Sequence, residues 1–268
     1  MSEDGPVDAA ASAWVELAVA ACDEADVLAM SAYVGAREVS TKSDGTLVTS
    51  ADREIERLLR ERILAVHPDH GLIGEEYGPE GAQRSVRWYL DPIDGTSNFV
   101  RGVPIFATLM AVEREGLLEA AIVSAPALRA RWLAWRGGGA WRVSSEGPPR
   151  RLSVSAVDTI PQAHLLYGSA TALRASETMP GLDAVLGAAW RERGFGDFWG
   201  HMLVAEGAAE AMLEFGLAAW DIAAPMLIVQ EAGGRCTDLE GTPELHGGGG
   251  FVSANAVIHE PLLEALRG

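Results

Sequence analysis

The chain has 268 residues, 48% hydrophobic and 22% charged, enough to bury a large core as one unit or as two closely packed halves. Its 38 acidic residues outweigh 21 basic ones, and the formal net charge of -17 repels nucleic acid and anionic lipid, which both need a basic surface. No run reaches the roughly 18 apolar residues of a membrane span; the acidic start Met1-Ser2-Glu3-Asp4 is unlike a secretory leader, and Cys22 and Cys236 lack metal-ligand spacing, so a cytoplasmic protein with buried free thiols is expected.

Val7 to Met30 is alanine-rich with apolar residues at helical spacing, and Ile55, Leu58, Leu59, Ile63 and Val66 repeat that period after the capping signal Thr49 to Asp52, which predicts two amphipathic helices. The β-like run Val86 to Leu90 leads into the turn Asp91-Pro92-Ile93-Asp94-Gly95-Thr96, and Phe106 to Val112, Leu118 to Val123 and Arg131 to Trp135 continue as an antiparallel meander. Gly137 to Gly139 lack dinucleotide-loop spacing and read as a hairpin turn. The polar stretch Arg142 to Arg151 is expected to pass to a second half, dividing the chain into residues 1–148 and 149–268. In that half strand-like runs at Leu165 to Gly168, Ala211 to Glu214, Gly234 to Cys236 and Gly250 to Ser253 alternate with helices at Leu182 to Arg191, Phe198 to Glu206, Ile222 to Ala232 and Pro261 to Arg267, an α/β (α+β) pattern.

The chemistry sits in the acids. Asp91 and Asp94 lie three residues apart in a turn whose Gly95 lets backbone approach a phosphate, and Glu75, Asp52 and Asp221 fall in segments that read as partners. Magnesium prefers hard oxygen ligands, so Asp, Glu and a backbone carbonyl suit it better than His or Cys would. Such ions can neutralise phosphate oxygens, acidify water and stabilise a leaving alkoxide, so the cluster describes a magnesium-dependent phosphatase site. Each residue has a plainer reading: Asp52 as an acid in a first helical turn, Asp221 as an N-cap, Glu75 and Glu76 as a solvated pair, Thr96 as a turn hydroxyl. The six histidines have no mutual metal spacing and read as core or surface residues, and the tryptophans as packing, Trp199 beside Asp197 being the one to watch.

The segments VTSAD (Val48 to Asp52), GEE (Gly74 to Glu76), DPIDGTSNF (Asp91 to Phe99) and WDIAAPMLIVQEAGG (Trp220 to Gly234) together resemble the ordered signature of the inositol monophosphatase family. The resemblance implies a layered αβαβα sandwich of the inositol monophosphatase/fructose bisphosphatase type, with an antiparallel sheet in the N-terminal half and a mixed sheet in the C-terminal half. It also implies a homodimer and two or three magnesium ions per site acting on a small phosphate monoester. The family's metal ligands fall on Glu75, Asp91, the carbonyl of Ile93, Asp94 and Asp221; its water-activating residues fall on Thr96, Asp52 and Glu75, and its phosphate contacts on Gly95 and Thr96. VRGVPIFATL (Val100 to Leu109), SAPALRARWLAWRGGGAW (Ser124 to Trp141) and GDFWGHMLVAEGA (Gly196 to Ala208) are most similar to the actinobacterial-type histidinol-phosphate phosphatases of that family. By that resemblance Arg193 contacts substrate; Asp197, in the GDF element just after it, is a candidate carboxylate partner for the imidazole or ammonium group. Inositol 1-phosphate or a related sugar phosphate is the alternative substrate, and an idle metal-binding module the alternative class. Two departures stand out: Ser97, where the histidinol subgroup commonly has lysine, and Pro225, expected in the first turn of the helix after Asp221.

Overall fold

The computed structural model describes residues 9–35, 39–41, 47–175, 178–243, 245 and 248–268. Met1 to Asp8 and His246, on which some of the expectations rest, lie outside them. Helix α1 (Ala9–Val34) buries Ala11, Trp14, Val15, Ala18, Ala21, Cys22, Ala25 and Ala29, a three-to-four spacing of mostly small side chains that brings its backbone close to its neighbours. A short hairpin of β1 (Val39–Thr41) and β2 (Leu47–Thr49) leads to α2 (Ser50–Val66). There the Thr49 side chain accepts from the Asp52 N–H and the Asp52 side chain accepts from the Thr49 N–H, so the expected capping signal forms a reciprocal box.

The first sheet contains β3 (Gly71–Gly74), β4 (Gly78–Glu80), β5 (Val86–Asp94), β6 (Ala107–Arg114), β7 (Leu117–Ala125), β8 (Ala130–Trp135), β9 (Gly139–Ser144) and β10 (Gly147–Arg151), in the order β10-β9-β8-β7-β6-β5-β3-β4. All neighbours are antiparallel except β3 and β5. The meander and the Gly137 to Gly139 turn form as expected. The Gly147–Arg151 segment, expected as the passage between halves, is instead the exposed edge strand of this sheet, where proline is tolerated because no outer neighbour needs its N–H. Between β5 and β6 the short helix α3 (Thr96–Arg101) grows out of the Asp91 turn.

The second sheet is mixed, as expected. It contains β11 (His164–Tyr167), β12 (Arg191–Arg193), β13 (Ala211–Phe215), β14 (Gly234–Asp238) and β15 (Gly250–Asn255), ordered β12-β11-β13-β15-β14 with β11 parallel to both neighbours. Its helices are α4 (Ala170–Ala175), α5 (Leu182–Ala188), α6 (Asp197–Ala205), α7 (Ala219–Glu231) and α8 (His259–Arg267). Three apolar cores follow from this order. One lies between α1/α2 and the first sheet (Ile55, Leu59, Trp88, Phe99), one holds α6 and α7 between the sheets (Phe198, Met202, Leu227, Val229), and one lies between the second sheet and α5/α8 (Leu165, Val252, Leu262, Leu266). These are the five layers of an αβαβα sandwich. Cys22 and Cys236 are buried free thiols, and no described helix is long and apolar enough to cross a membrane.

Pro225 departs from its expected place. Helix α7 starts at Ala219, because Asp221 reaches back to accept the Ala218 N–H at 2.7 Å, so Pro225 lies inside the helix and not in its first turn. Its ring nitrogen cannot donate to the carbonyl one turn back, which belongs to Asp221.

Candidate active site

A strand alternates faces, so two acids three residues apart on a regular β5 would point to opposite sides. Here β5 is irregular: Asp91 faces Leu109 and Asp94 faces Ala107, so three steps on β5 match two on β6. This bulge turns both carboxylates toward one cavity, and Thr108 Oγ1 fixes it by donating to the Pro92 carbonyl at 2.9 Å. Because β3 runs parallel to β5 with Gly74 beside Leu90, the residue after β3 emerges at the same end as Asp91; that residue is Glu75, whose N–H donates to the Leu90 carbonyl at 3.2 Å. Glu56 of α2 supports the loop from below. Fully buried, it accepts from the Glu76 N–H at 2.6 Å, the Tyr77 N–H at 3.3 Å and Arg60 Nε at 2.8 Å, and a Cβ on Gly74 would collide with it.

Three helices point their N-termini at this place, where their positive ends favour anionic side chains. Asp52 and Asp221 are the third residues of α2 and α7, and each accepts the N–H of its helix's cap residue; Asp94 Oδ2 accepts the Phe198 N–H at the start of α6 at 2.7 Å. Carboxylate oxygens of Asp91, Asp94 and Asp221 lie within 4.8 Å of one another. Unit charges at that spacing repel by roughly 3 kcal/mol per pair at an effective dielectric near 20. Burial and mutual repulsion both disfavour the ionised forms. Burial first, then Glu75, raises Asp91 well above the usual carboxylate range; burial and then Asp197 do the same for Asp94. Burial raises Asp221 to about 7 against the opposing Ala218 N–H bond, and raises Asp52 against its bonds to Thr49.

The cavity, about 440 Å³, is lined by six carboxylates (Glu75, Asp91, Asp94, Asp197, Glu214 and Asp221) and, among the described residues, by no Lys or Arg. Asp91 Oδ1 is buried without a hydrogen-bond partner, so the arrangement has an open acceptor and excess negative charge where a hard cation would fit. Thr96 Oγ1 donates to the Ile93 carbonyl at 3.0 Å and lies 3.5 Å from Asp52 Oδ1. Gly95 has φ 77, and a Cβ there would come within 2.9 Å of the Ile105 carbonyl, so glycine is required at the turn.

Asp197 reaches the same cavity from the second half with φ 51, a left-handed conformation that costs least for glycine, asparagine and aspartate. Asn98 Nδ2 donates to its Oδ2 at 2.9 Å, tying α6 to the metal-type turn, and burial followed by the Glu214 charge raises it to about 6. Arg193 is not brought here: it lies exposed on the edge strand β12 and donates to the carbonyl of Glu192. Trp199 packs on Phe195, with ring centroids 4.9 Å apart, outside the cavity lining. Ser97 lines the cavity as an exposed side chain. Sequence reading missed Glu214 and His201, both in the lining. The available signal was a lone acid closing the apolar strand run Ala211 to Glu214, where a charge is out of place unless it faces a site.

The model of the inositol monophosphatase family matches residues 10–268. A histidinol-phosphatase of Mycobacterium tuberculosis is 40% identical over 94% of this chain and 96% of its own length. An inositol-1-monophosphatase of Mesorhizobium japonicum is 34% identical over 86% of each chain. The crystal structure of the extragenic suppressor protein suhB from Bartonella henselae superposes with a TM-score of 0.85 at 29% identity, covering 95% of this chain and 98% of that one.

Proposed function

Since this chain belongs to the inositol monophosphatase family, we propose that its acidic cavity hydrolyses histidinol phosphate to histidinol and phosphate, with magnesium held by Glu75, Asp91, the Ile93 carbonyl, Asp94 and Asp221. The chain is a phosphoric monoester hydrolase. One observation carries the assignment of this cavity: six carboxylates and, among the described residues, no Lys or Arg line it, so a phosphate dianion enters only in company with cations. The donors are all hard oxygens, which suits magnesium. Bound there, magnesium supplies the charge that neutralises phosphoryl oxygens and acidifies water.

The chain's own groups orient the phosphate and move the proton. The Gly95-Thr96 backbone faces the phosphate, and Thr96 Oγ1 accepts a proton from the attacking water as its own proton passes to Asp52 Oδ1, 3.5 Å away. Burial raises Asp52 above the ordinary carboxylate range, which makes it a stronger base for that step. Water attacks phosphorus in line, the ester P–O bond breaks, and the departing alkoxide takes up a proton from solvent as histidinol while Asp52 returns its proton to solvent; no phosphoenzyme forms. On the alcohol side Asp197 lies beside the phosphate turn, with Oδ2 3.5 Å from where a Gly95 Cβ would be, so an ammonium one carbon from the ester CH₂ can reach it. That favours an amino-alcohol phosphate over a neutral polyol phosphate. The homodimer implied by the family resemblance and the cytoplasmic placement read from composition belong to the same reading; light scattering checks the first.

Phosphate release from histidinol phosphate and inositol 1-phosphate, each with and without magnesium, tests the proposal. Magnesium-dependent release that prefers histidinol phosphate is expected. A preference for inositol 1-phosphate would select the alternative that the Mesorhizobium relative and the missing charge at Ser97 support. Release from neither ester would point to a different phosphate ester.

A further inference from the structure

In the wall of the cavity, α6 buries a polar chain that the phosphate chemistry does not use. His201, 1% exposed in an otherwise apolar layer, has Nε2 2.9 Å from Glu214 Oε2 and Nδ1 2.8 Å from Ser253 Oγ, and the Cys236 thiol points at the same Ser253 oxygen at 3.3 Å. A carboxylate only accepts, so Nε2 donates to Glu214, while Nδ1 faces the Ser253 hydroxyl, whose oxygen accepts from Cys236 S–H. Burial pushes that thiol up to about 12, which keeps it a donor. Both ring nitrogens of His201 thus have a polar partner.

The outcome is a fixed Glu214. Its Oε2 is held by His201, its Oε1 accepts the Asp197 N–H at 3.3 Å, and Gly168 leaves the space that any Cβ would take from the carboxylate. Asp197 is fixed in turn by Asn98 and by its left-handed backbone. Two carboxylates from different elements are thus locked side by side at the alcohol end of the cavity, where mutual repulsion would otherwise separate them. We infer that His201 is a positioning residue for substrate choice: by clamping Glu214 against Asp197 it maintains a paired-carboxylate receptor for a cationic amine on the departing alcohol. This rests on the histidinol-phosphate reading and adds to it the residue that shapes the pocket without touching the phosphate.

The test compares kcat/KM for histidinol phosphate and for the uncharged glycerol 2-phosphate in the wild type, His201→Leu, His201→Gln and Glu214→Gln, with thermal melting as a check on folding. His201→Leu should lower the selectivity ratio about tenfold or more, mainly by raising KM for histidinol phosphate, as expected for losing a hydrogen bond to a charged group. His201→Gln, whose amide can donate where Nε2 did, should restore the ratio to within about threefold. Glu214→Gln should reproduce the loss, which keeps the inference testable if His201→Leu does not fold. A His201→Leu enzyme in which both esters slow by the same factor would show a merely structural histidine and overturn the inference while leaving the substrate reading intact. A wild type with no preference for histidinol phosphate would overturn the substrate reading, and the inference with it.

Discussion

Replacing Asp221 with asparagine should make the metal-free protein more stable and inactive at once. Asp221 titrates near 7 in the folded chain against an ordinary 3.8. Between those values the native state keeps a proton that the unfolded chain has released, so unfolding free energy falls as pH rises through that window. The penalty is absent below about pH 4 and complete above about pH 7, with a ceiling of about 4 kcal/mol at 1.36 kcal/mol per pH unit. Asparagine keeps the carbonyl that accepts the Ala218 N–H but cannot ionise. Asparagine must also bury its own amide N–H groups, which offsets part of the gain and leaves about 1–3 kcal/mol. Urea unfolding in EDTA at pH 4, 6 and 8, for wild type and Asp221→Asn, measures this directly; the difference between the two cancels the titration of groups remote from the cluster. The expected gap is near zero at pH 4 and favours the variant at pH 8. Saturating magnesium should reverse the order at pH 8, because only the wild type keeps the full ligand set and gains stability from binding. A gap that does not change with pH, or a variant less stable than wild type in EDTA at pH 8, would refute the electrostatic account.

Three further outcomes follow from other parts of the molecule. Thr96→Ala and Asp52→Asn should each reduce kcat by about 10²–10⁴-fold, with Thr96→Ser close to wild type, in steady-state phosphate release. Glu56→Ala should raise the magnesium concentration needed for half-maximal activity and cost about 3–5 kcal/mol in urea unfolding, since it strands buried Arg60 and the loop N–H groups that hold Glu75 in place. Pro225→Ala returns an N–H to the Asp221 carbonyl and should raise stability by about 1–3 kcal/mol, read as an upward shift in melting temperature.

How much of this was legible before the fold was known depends on whether the signal was local. The α2 cap could be read because Thr49 and Asp52 satisfy each other within one turn. The meander could be read because each strand pairs with the next. The start of α7 was placed late because its cap is Ala218, which has no capping oxygen; the acceptor comes from Asp221, three residues downstream. The β5 bulge is set by its pairing with β6, and nothing within Asp91 to Asp94 reveals it. Glu214 and His201 escaped for a related reason: each looks like an isolated polar residue in an apolar run until β13, β15 and α6 meet. Arg193 was expected at substrate by resemblance alone, and the edge position of β12 turns it to solvent.

The left-handed backbone at Asp197 also restricts how this pocket can change. Only glycine, asparagine and aspartate enter that conformation at little cost, so single substitutions there can delete the carboxylate or neutralise it but cannot install a lysine, leucine or threonine without disturbing the start of α6. Directed evolution toward neutral alcohols should therefore begin with Asn or Gly at this position and find its larger gains at Glu214, which sits on regular strand backbone without that restriction.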